Sequence, residues 1–454
     1  MTTNSQADFR YLDKRIMNYV KDNPGESLKS LRRKIRRDVE VDVSIHKVYR
    51  AKQHAIDLLK GDIKEQYNRL YDYCETVCKH NPGSSCVLKV DRELTPPILQ
   101  RMYVCLKPLS DGFKVVCRPI IGLDGCFLKG LYKGQLLTAT TMDENNNIYP
   151  IAMAFVEVEK FDSWDWFLNL LFRDIGEARE GKWSFLSDRQ KGPIEALGKH
   201  APDVEHHFCL RHMYNNFKMK FKGLELKRLF WKAASTYNIN EHKRTMKEIL
   251  KCNPKVNENK NAFEWLSDIP EHQWARSYFP TRTKCDVLVN NTSESFNHYI
   301  MAARDLPIIE MFEWIRRKSM TRIQIKREGM EKYDGSICPN IVKKIEVQRK
   351  ESRNCFPSWA GEDKFEIMHL QSNHVIHLKS KSCTCGMFQL VGYPCCHAIA
   401  ALDMHRQDPL EFVDVYFSKQ MYLYLYSHII SPVPGMHDFE KSSLGIVNPP
   451  IIKK

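Results

Sequence analysis

The chain has 454 residues with 43% hydrophobic content, enough to bury sizeable cores in two or three globular domains. A net charge of +14 and a pI near 9.0 favour an acidic partner, of which nucleic acid is the commonest. With no signal peptide and no apolar run of transmembrane length, a membrane partner is not expected, and the 15 cysteines point to a reducing compartment where thiols bind metal or stay free.

In chain order, residues 9–75 read as a helical unit. Its pieces are Tyr11 to Lys21, Leu28 to Asp38 after the Asn23-Pro24-Gly25-Glu26-Ser27 break, and Ser44 to Lys60. Short helices with tight connections are compatible with a helix-turn-helix. The second carries Arg33 and Arg36 in a dense basic run, and the third carries Lys47, Arg50 and Lys52. A solvated face is the ordinary reading of such charge. Two basic faces in one small unit make DNA contact the competing reading, with these five residues as groove or phosphate candidates. The Arg-rich run also reads as a nuclear import signal, so the nucleus is the expected location.

The Val- and Ile-rich run from Phe113 to Ile121 reads as a buried strand with Asp124 at its tip. Gln135 to Met142 and Tyr149 to Val158 read as two further strands around the polar turn Asp143-Glu144-Asn145-Asn146-Asn147. A helix then follows from Asp162 through Phe172, and a short strand, Trp183 to Leu186, ends at Asp188. Three strands, a helix and a fourth strand, with acids after the first and fourth, is the order of a ribonuclease-H-like nuclease core. A lone Asp at a strand end is ordinarily a turn residue. A pair in this order suits Mg²⁺ or Mn²⁺, because two ions held by hard oxygens can clamp the attacking and leaving oxygens of a phosphodiester.

Residues 193–280 read mostly as helices, an all-α insertion in that core. Within it Cys209 and His212 form a Cys-x-x-His pair preceded by His206 and His207. Two ligands do not complete a structural zinc site, so a packing or hydrogen-bonding role is preferred and a metal role stays open. Glu294 falls in the first turn of a helix opened by Asn290-Asn291-Thr292, where it is either a favourable N-terminal charge or a third metal ligand. Asn291 and Asn297 are placed to orient it or DNA. Near the end, Cys383-Thr384-Cys385 and Cys395-Cys396-His397 supply soft ligands for a closed tetrahedral zinc site. The assigned set is Cys383, Cys385, Cys395 and His397, with Cys396 as the competitor of Cys395.

Taken together, LDGCFLKG, YPIAMAFVEVE, DSWDWFL, FLSDRQKG, FCLRHMYNNF, LVNNTSESFN and CTCGMFQLVGYPCCHAIAAL resemble a plant Mutator-like element transposase with its SWIM zinc finger, in order from about residue 10 to 435. The resemblance implies a DDE-type transposase: an α/β, ribonuclease-H-like core over 100–330 interrupted by the helical insertion, a SWIM finger over 365–405 and a tail over 406–454. It implies Asp124, Asp188 and Glu294 as catalytic acids holding Mg²⁺ or Mn²⁺, structural Zn²⁺ in the SWIM motif, and DNA (transposon ends and target) as partner. Cys209 and His212 match the family's Cys-x-x-His element, and a homo-oligomer is an expected state. Relatives carry a further N-terminal domain and a longer basic tail, so part of terminal-repeat recognition is expected to be missing. Many relatives are domesticated regulators that bind DNA at promoter sites without cutting it, which is the alternative function.

Overall fold

A computed structural model describes residues 16–17, 19–20, 27–39, 43–176, 183–253 and 260–451. The expected helix Tyr11 to Lys21 falls largely outside these residues; 16–17 and 19–20 are helical. Two helices follow, α1 (Leu28–Val39) and α2 (Ile45–Asn68). Ser44 caps α2 by accepting a hydrogen bond from the Lys47 N–H at 3.3 Å. Ile16, Val20, Leu31, Ile35, Val48, Ala51 and Ala55 close a small core of their own. The far end of α2 leaves that core: Tyr67 is buried in the main one, and Gln66 bonds Glu310.

The main body begins with α3 (Leu70–His80), β1 (Ser85–Asp91), β2 (Ile98–Cys105) and α4 (Lys107–Val115). It continues through β3 (Ile120–Phe127), β4 (Gln135–Met142), β5 (Ile148–Val156), α5 (Phe161–Ile175), β6 (Ser184–Ser187), α6 (Lys191–His200) and β7 (Glu205–Phe208). The seven strands form one mixed sheet in the order β1-β2-β5-β4-β3-β6-β7. β3 is antiparallel to β4 and parallel to β6, and β6 is parallel to β7. The sheet therefore starts at Ser85, ahead of residue 100.

Three expectations change here. Phe113 lies in α4, not in a strand: Pro108 suits a first turn, and Leu109, Phe113 and Val116 recur at helical spacing on the buried side. β3 starts only at Ile120, after Pro119, and runs to Phe127, so Asp124 is not at the strand's tip but inside it, opposite Thr138 of β4. The helical insertion does not begin at 193, because α6 and β7 complete the sheet first. β7 is only Glu-His-His-Phe, a strand without an apolar run, held through its register with β6.

The insertion proper comprises α7 (Leu210–Lys220), α8 (Leu224–Ser235), α9 (Ile239–Cys252) and α10 (Ala262–Ser267), packed around Phe217, Phe230 and Trp274. The chain returns through α11 (Asn291–Tyr299), which lies on β3, β4 and β5, and then α12 (Ile308–Glu331) and α13 (Pro339–Ser352). A second, four-stranded antiparallel sheet follows, built from β8 (Cys355–Gly361), β9 (Lys364–His369), β10 (Ser372–His377) and β11 (Ser382–Cys383) in the order β11-β10-β9-β8. Helices α14 (Met387–Val391) and α15 (Cys396–Met404) complete that module.

Residues 406–451 are no loose tail. In α16 (Lys419–Leu425) and beyond, Tyr422, Leu425, Tyr426, Ile430, Phe439 and Val447 join the main core, and the backbones of Leu99 and Asn448 are bonded. No described helix is long and apolar enough to cross a membrane.

Candidate active site and metal centre

Asp124 is placed by β3, whose alternation puts Gly122 and Asp124 on the face covered by α11. The helix comes unusually close. A Cβ at Gly122 would lie 2.7 Å from Asn290 Oδ1 and 2.8 Å from Ser293 Oγ, so only glycine admits α11 at this distance. Asn290 Nδ2 donates to the Leu123 carbonyl at 2.9 Å, and Thr140 and Ser293 hydroxyls meet at 2.9 Å. One turn on, Asn297 Nδ2 donates to Asp124 Oδ2 at 2.9 Å, while its Oδ1 is buried with no partner among the described residues.

Asp188 follows β6, the parallel neighbour of β3, whose pairing with β3 stops at Gly122 and Leu186, so Asp124, still inside β3, lies two residues past that pairing, as Asp188 does. Burial, and then the charge of Asp188, push the Asp124 carboxyl up to about 7; burial also raises Asp188, against the pull of His212. Glu159, just past β5, is a third carboxylate at this end. Its Oε2 would lie 2.6 Å from a Cβ at Gly125, and Trp164 Nε1 donates to its Oε1 at 3.2 Å. Burial and Asp188 raise Glu159 to about 7. It escaped sequence analysis, although the signal was the one that drew attention to Asp124 and Asp188: an acid just beyond a strand end.

Glu294 sits in the first turn of α11, close to Cys209 and His212, with one ligand atom of each within 4.8 Å of the others. Arg211 pairs with the Glu294 carboxylate and donates to Asn291 Oδ1 at 3.1 Å, so this acid is neutralised by a guanidinium. Arg211 was not foreseen. Its neighbour His212 is raised to about 9, first by its hydrogen bond with Cys209, and the charges of Asp188 and Asp124 add to this. Burial would raise the Cys209 thiol, but hydrogen bonds from the His212 side chain and the Asn290 N–H, at 3.3 Å, lower it on balance. Cys209 and His212 thus form a polar pair facing the acids. His206 and His207 take another role: burial keeps both neutral, with His206 bonded to Ser187 at 2.7 Å and His207 to the His272 carbonyl at 2.8 Å.

In the smaller module, β11 carries Cys383, the following turn Cys385, and the start of α15 Cys395 and His397. One donor atom of each lies within 4.8 Å of the others. His397 Nδ1 is 3.6 Å from Cys383 Sγ and 3.8 Å from Cys395 Sγ. Hydrogen bonding from Cys383 and Cys395 drives Cys385 well below the usual thiol range. Cys396 points elsewhere, towards Cys355, and burial raises its thiol. Arg33 and Arg36 on α1, and Lys47, Arg50 and Lys52 on α2, lie on the separate N-terminal core; Arg33, Arg36 and Arg50 are exposed.

A mixed sheet bearing acids on and just past adjacent strands, joined to a thiol-rich module, defines a metal-binding α/β protein. Residues 120–216 match the MULE transposase domain, and residues 370–405 match the SWIM zinc finger. The two matches support a MULE-type transposase, transposase-like and zinc-binding. The first spans Asp124, Asp188, Cys209 and His212 and stops short of Glu294; the second spans all four residues of the thiol cluster. A search of curated proteins found no match.

Proposed function

We propose that the chain is a DNA transposase of the Mutator-like class, cutting phosphodiesters at transposon ends and joining the freed strand to target DNA. The observation that carries this is the electrostatic coupling of Asp124, in β3, with Asp188, just past the neighbouring strand β6, where each resists ionisation and a divalent cation would relieve the repulsion. The order β5-β4-β3-β6-β7, with β6 and β7 parallel to β3, supports a ribonuclease-H-like core.

The donor set fits magnesium or manganese: hard carboxylate oxygens, with Asn297 fixing the orientation of Asp124. When bound, such ions neutralise charge on the attacking and leaving oxygens. Asp124 and Asp188 would hold the cation, and Glu294, paired with Arg211 in this structure, would complete the set. Arg211 and the His212 cation then face the phosphate. Cys383, Cys385, Cys395 and His397 bind structural zinc. Arg33, Arg36, Lys47, Arg50 and Lys52 neutralise DNA phosphates. The protein acts in the nucleus, as a homo-oligomer.

The pairing of Glu294 with Arg211 favours a second reading, in which the same fold binds DNA without cutting it, as a regulator of transcription. Cleavage and strand transfer on a labelled duplex carrying terminal repeats, with Mg²⁺ or Mn²⁺, separates the two. Nicking that disappears in Asp124→Ala, Asp188→Ala and Glu294→Ala supports the transposase. Salt-dependent binding with no nicking, unchanged in the variants, supports the regulator.

A further inference from the structure

We infer that His369 and Glu351 form an outer shell to the thiol cluster, a carboxylate–imidazole–imidazole chain that holds His397 with Nδ1 turned to the metal. The inference rests on the reading of Cys383, Cys385, Cys395 and His397 as zinc ligands. Neither His369 nor Glu351 falls in the segment that matches the SWIM finger.

Three contacts form the chain. His397 Nδ1 faces the thiols, at 3.6 Å from Cys383 and 3.8 Å from Cys395. Its other nitrogen, Nε2, lies 2.9 Å from His369 Nδ1. His369 Nε2 in turn lies 3.2 Å from Glu351 Oε1. One assignment of protons satisfies all three. A metal takes the lone pair of His397 Nδ1, so the His397 proton sits on Nε2 and is donated to His369. His369 Nδ1 must then be the acceptor, which leaves its proton on Nε2, aimed at the carboxylate. A metal-bound histidine that donates its second N–H has its tautomer and ring orientation fixed. His374 stacks on the same ring, with centroids 3.9 Å apart and planes at 28°, and restricts its tilt.

A different use of these residues can be weighed. Cys355, His369, Cys396 and His397 also bring one donor each within 4.8 Å, and Cys355 stands opposite His369 across β8 and β9. A second ion there would require His397 to give up both ring protons and bridge two metals. The 2.9 Å separation of the two ring nitrogens is instead an ordinary hydrogen-bond distance. The outer-shell role needs no such bridge. It also ties the end of α13, a helix outside the finger, to the metal centre through Glu351.

The test is zinc affinity of the full chain by chelator competition, with metal content per chain and the nitrogen-15 spectrum of the histidine rings. His369→Leu is expected to weaken zinc by about 10–100-fold. His369→Gln should recover most of this, since its amide can accept from His397 and donate to Glu351. Glu351→Gln, at an exposed position, should weaken zinc a few-fold and leave folding intact. The His397 Nε2 proton should be seen bonded in wild type and His369→Gln and lost in His369→Leu. Equal affinity for wild type and both His369→Leu and Glu351→Gln overturns the inference. So do equal losses in His369→Leu and His369→Gln, which would mean packing alone. Two zinc ions per wild-type chain, falling to one in His369→Leu, would make His369 a ligand instead. If His369→Leu does not fold, Glu351→Gln and the wild-type ring proton decide. A wild-type chain that takes up no zinc overturns the zinc reading itself, and the inference with it.

Discussion

Glu144 is 2% exposed, and neither of its carboxylate oxygens has a hydrogen-bond partner among the described residues. Burial, and then the charge of Asp143, hold its carboxyl well above the usual range. The folded chain therefore keeps a proton here that the unfolded chain releases near pH 4.5. Stability is fully present below that pH and declines as pH rises towards the folded value. Glu144→Gln should flatten this decline, and urea melts of both proteins from pH 4 to 8 should converge at the acid end. A melt series with the same slope in both would refute the assignment. Gly122 tests the packing that positions the acids. Gly122→Ala should cost about 1–3 kcal/mol by overpacking against Asn290 and Ser293. Because α11 would be displaced, the variant should also lose nicking even where it remains folded, which a paired melt and cleavage assay would show.

At the scale of elements, the short helix α10 depends on its cap. Asn261 Oδ1 accepts from the Glu264 N–H at 2.8 Å, and the Glu264 side chain accepts from the Asn261 N–H at 3.1 Å. Asn261→Ala should destabilise the insertion by about 1 kcal/mol; a midpoint unchanged in thermal melts would sink that expectation. What could be read in the sequence followed the same logic of local signals. The strands β4, β5 and β6, the helix after Asp162 and the insertion helices all announce themselves through periodicity or turn residues, and the structure has them within a few positions. Elements set by distant partners did not. β7 is a four-residue polar strand whose His206 answers Ser187. The stretch 143–147 reads as a polar turn, yet Asn145 bonds Asn340 and Asp143 bonds Tyr426, 195 and 283 residues downstream. Asp124 and Asp188 could be picked out by strand order, and Glu159 carried the same signal unread, while the Arg211 clasp on Glu294 emerges only from side-chain geometry.

For the whole molecule, the smaller sheet has a hydrophobic cluster of its own, with Cys383, Cys395 and Cys396 in it. Chelation of zinc should therefore unfold this module while the seven-stranded sheet persists, so that the chelated protein keeps a melting transition for the sheet but loses the part of the unfolding enthalpy that the module supplies. Calorimetry with and without chelator would show it. DNA affinity should fall steeply with salt, and replacing Lys47, Arg50 or Lys52 by Ala should each lower the slope of log K against log[salt] by about 1. An unchanged slope would remove that residue from the phosphate contacts.

Helix α2 runs unbroken for 24 residues from the N-terminal core to the loop after β3, where Tyr67 meets Tyr132 edge to face at 5.1 Å. At 1.5 Å per residue it is about 36 Å long, close to one turn of duplex DNA. On the proposed transposase reading, such a strut would serve as a ruler. A duplex gripped by the N-terminal helices while its backbone lies at Asp124 would present the same face at both points, roughly 10 base pairs apart. A footprint on terminal-repeat DNA should then show protection centred about one turn from the nick. Lengthening the strut by about 23 residues, one further turn of the duplex, would move the cut along the same face.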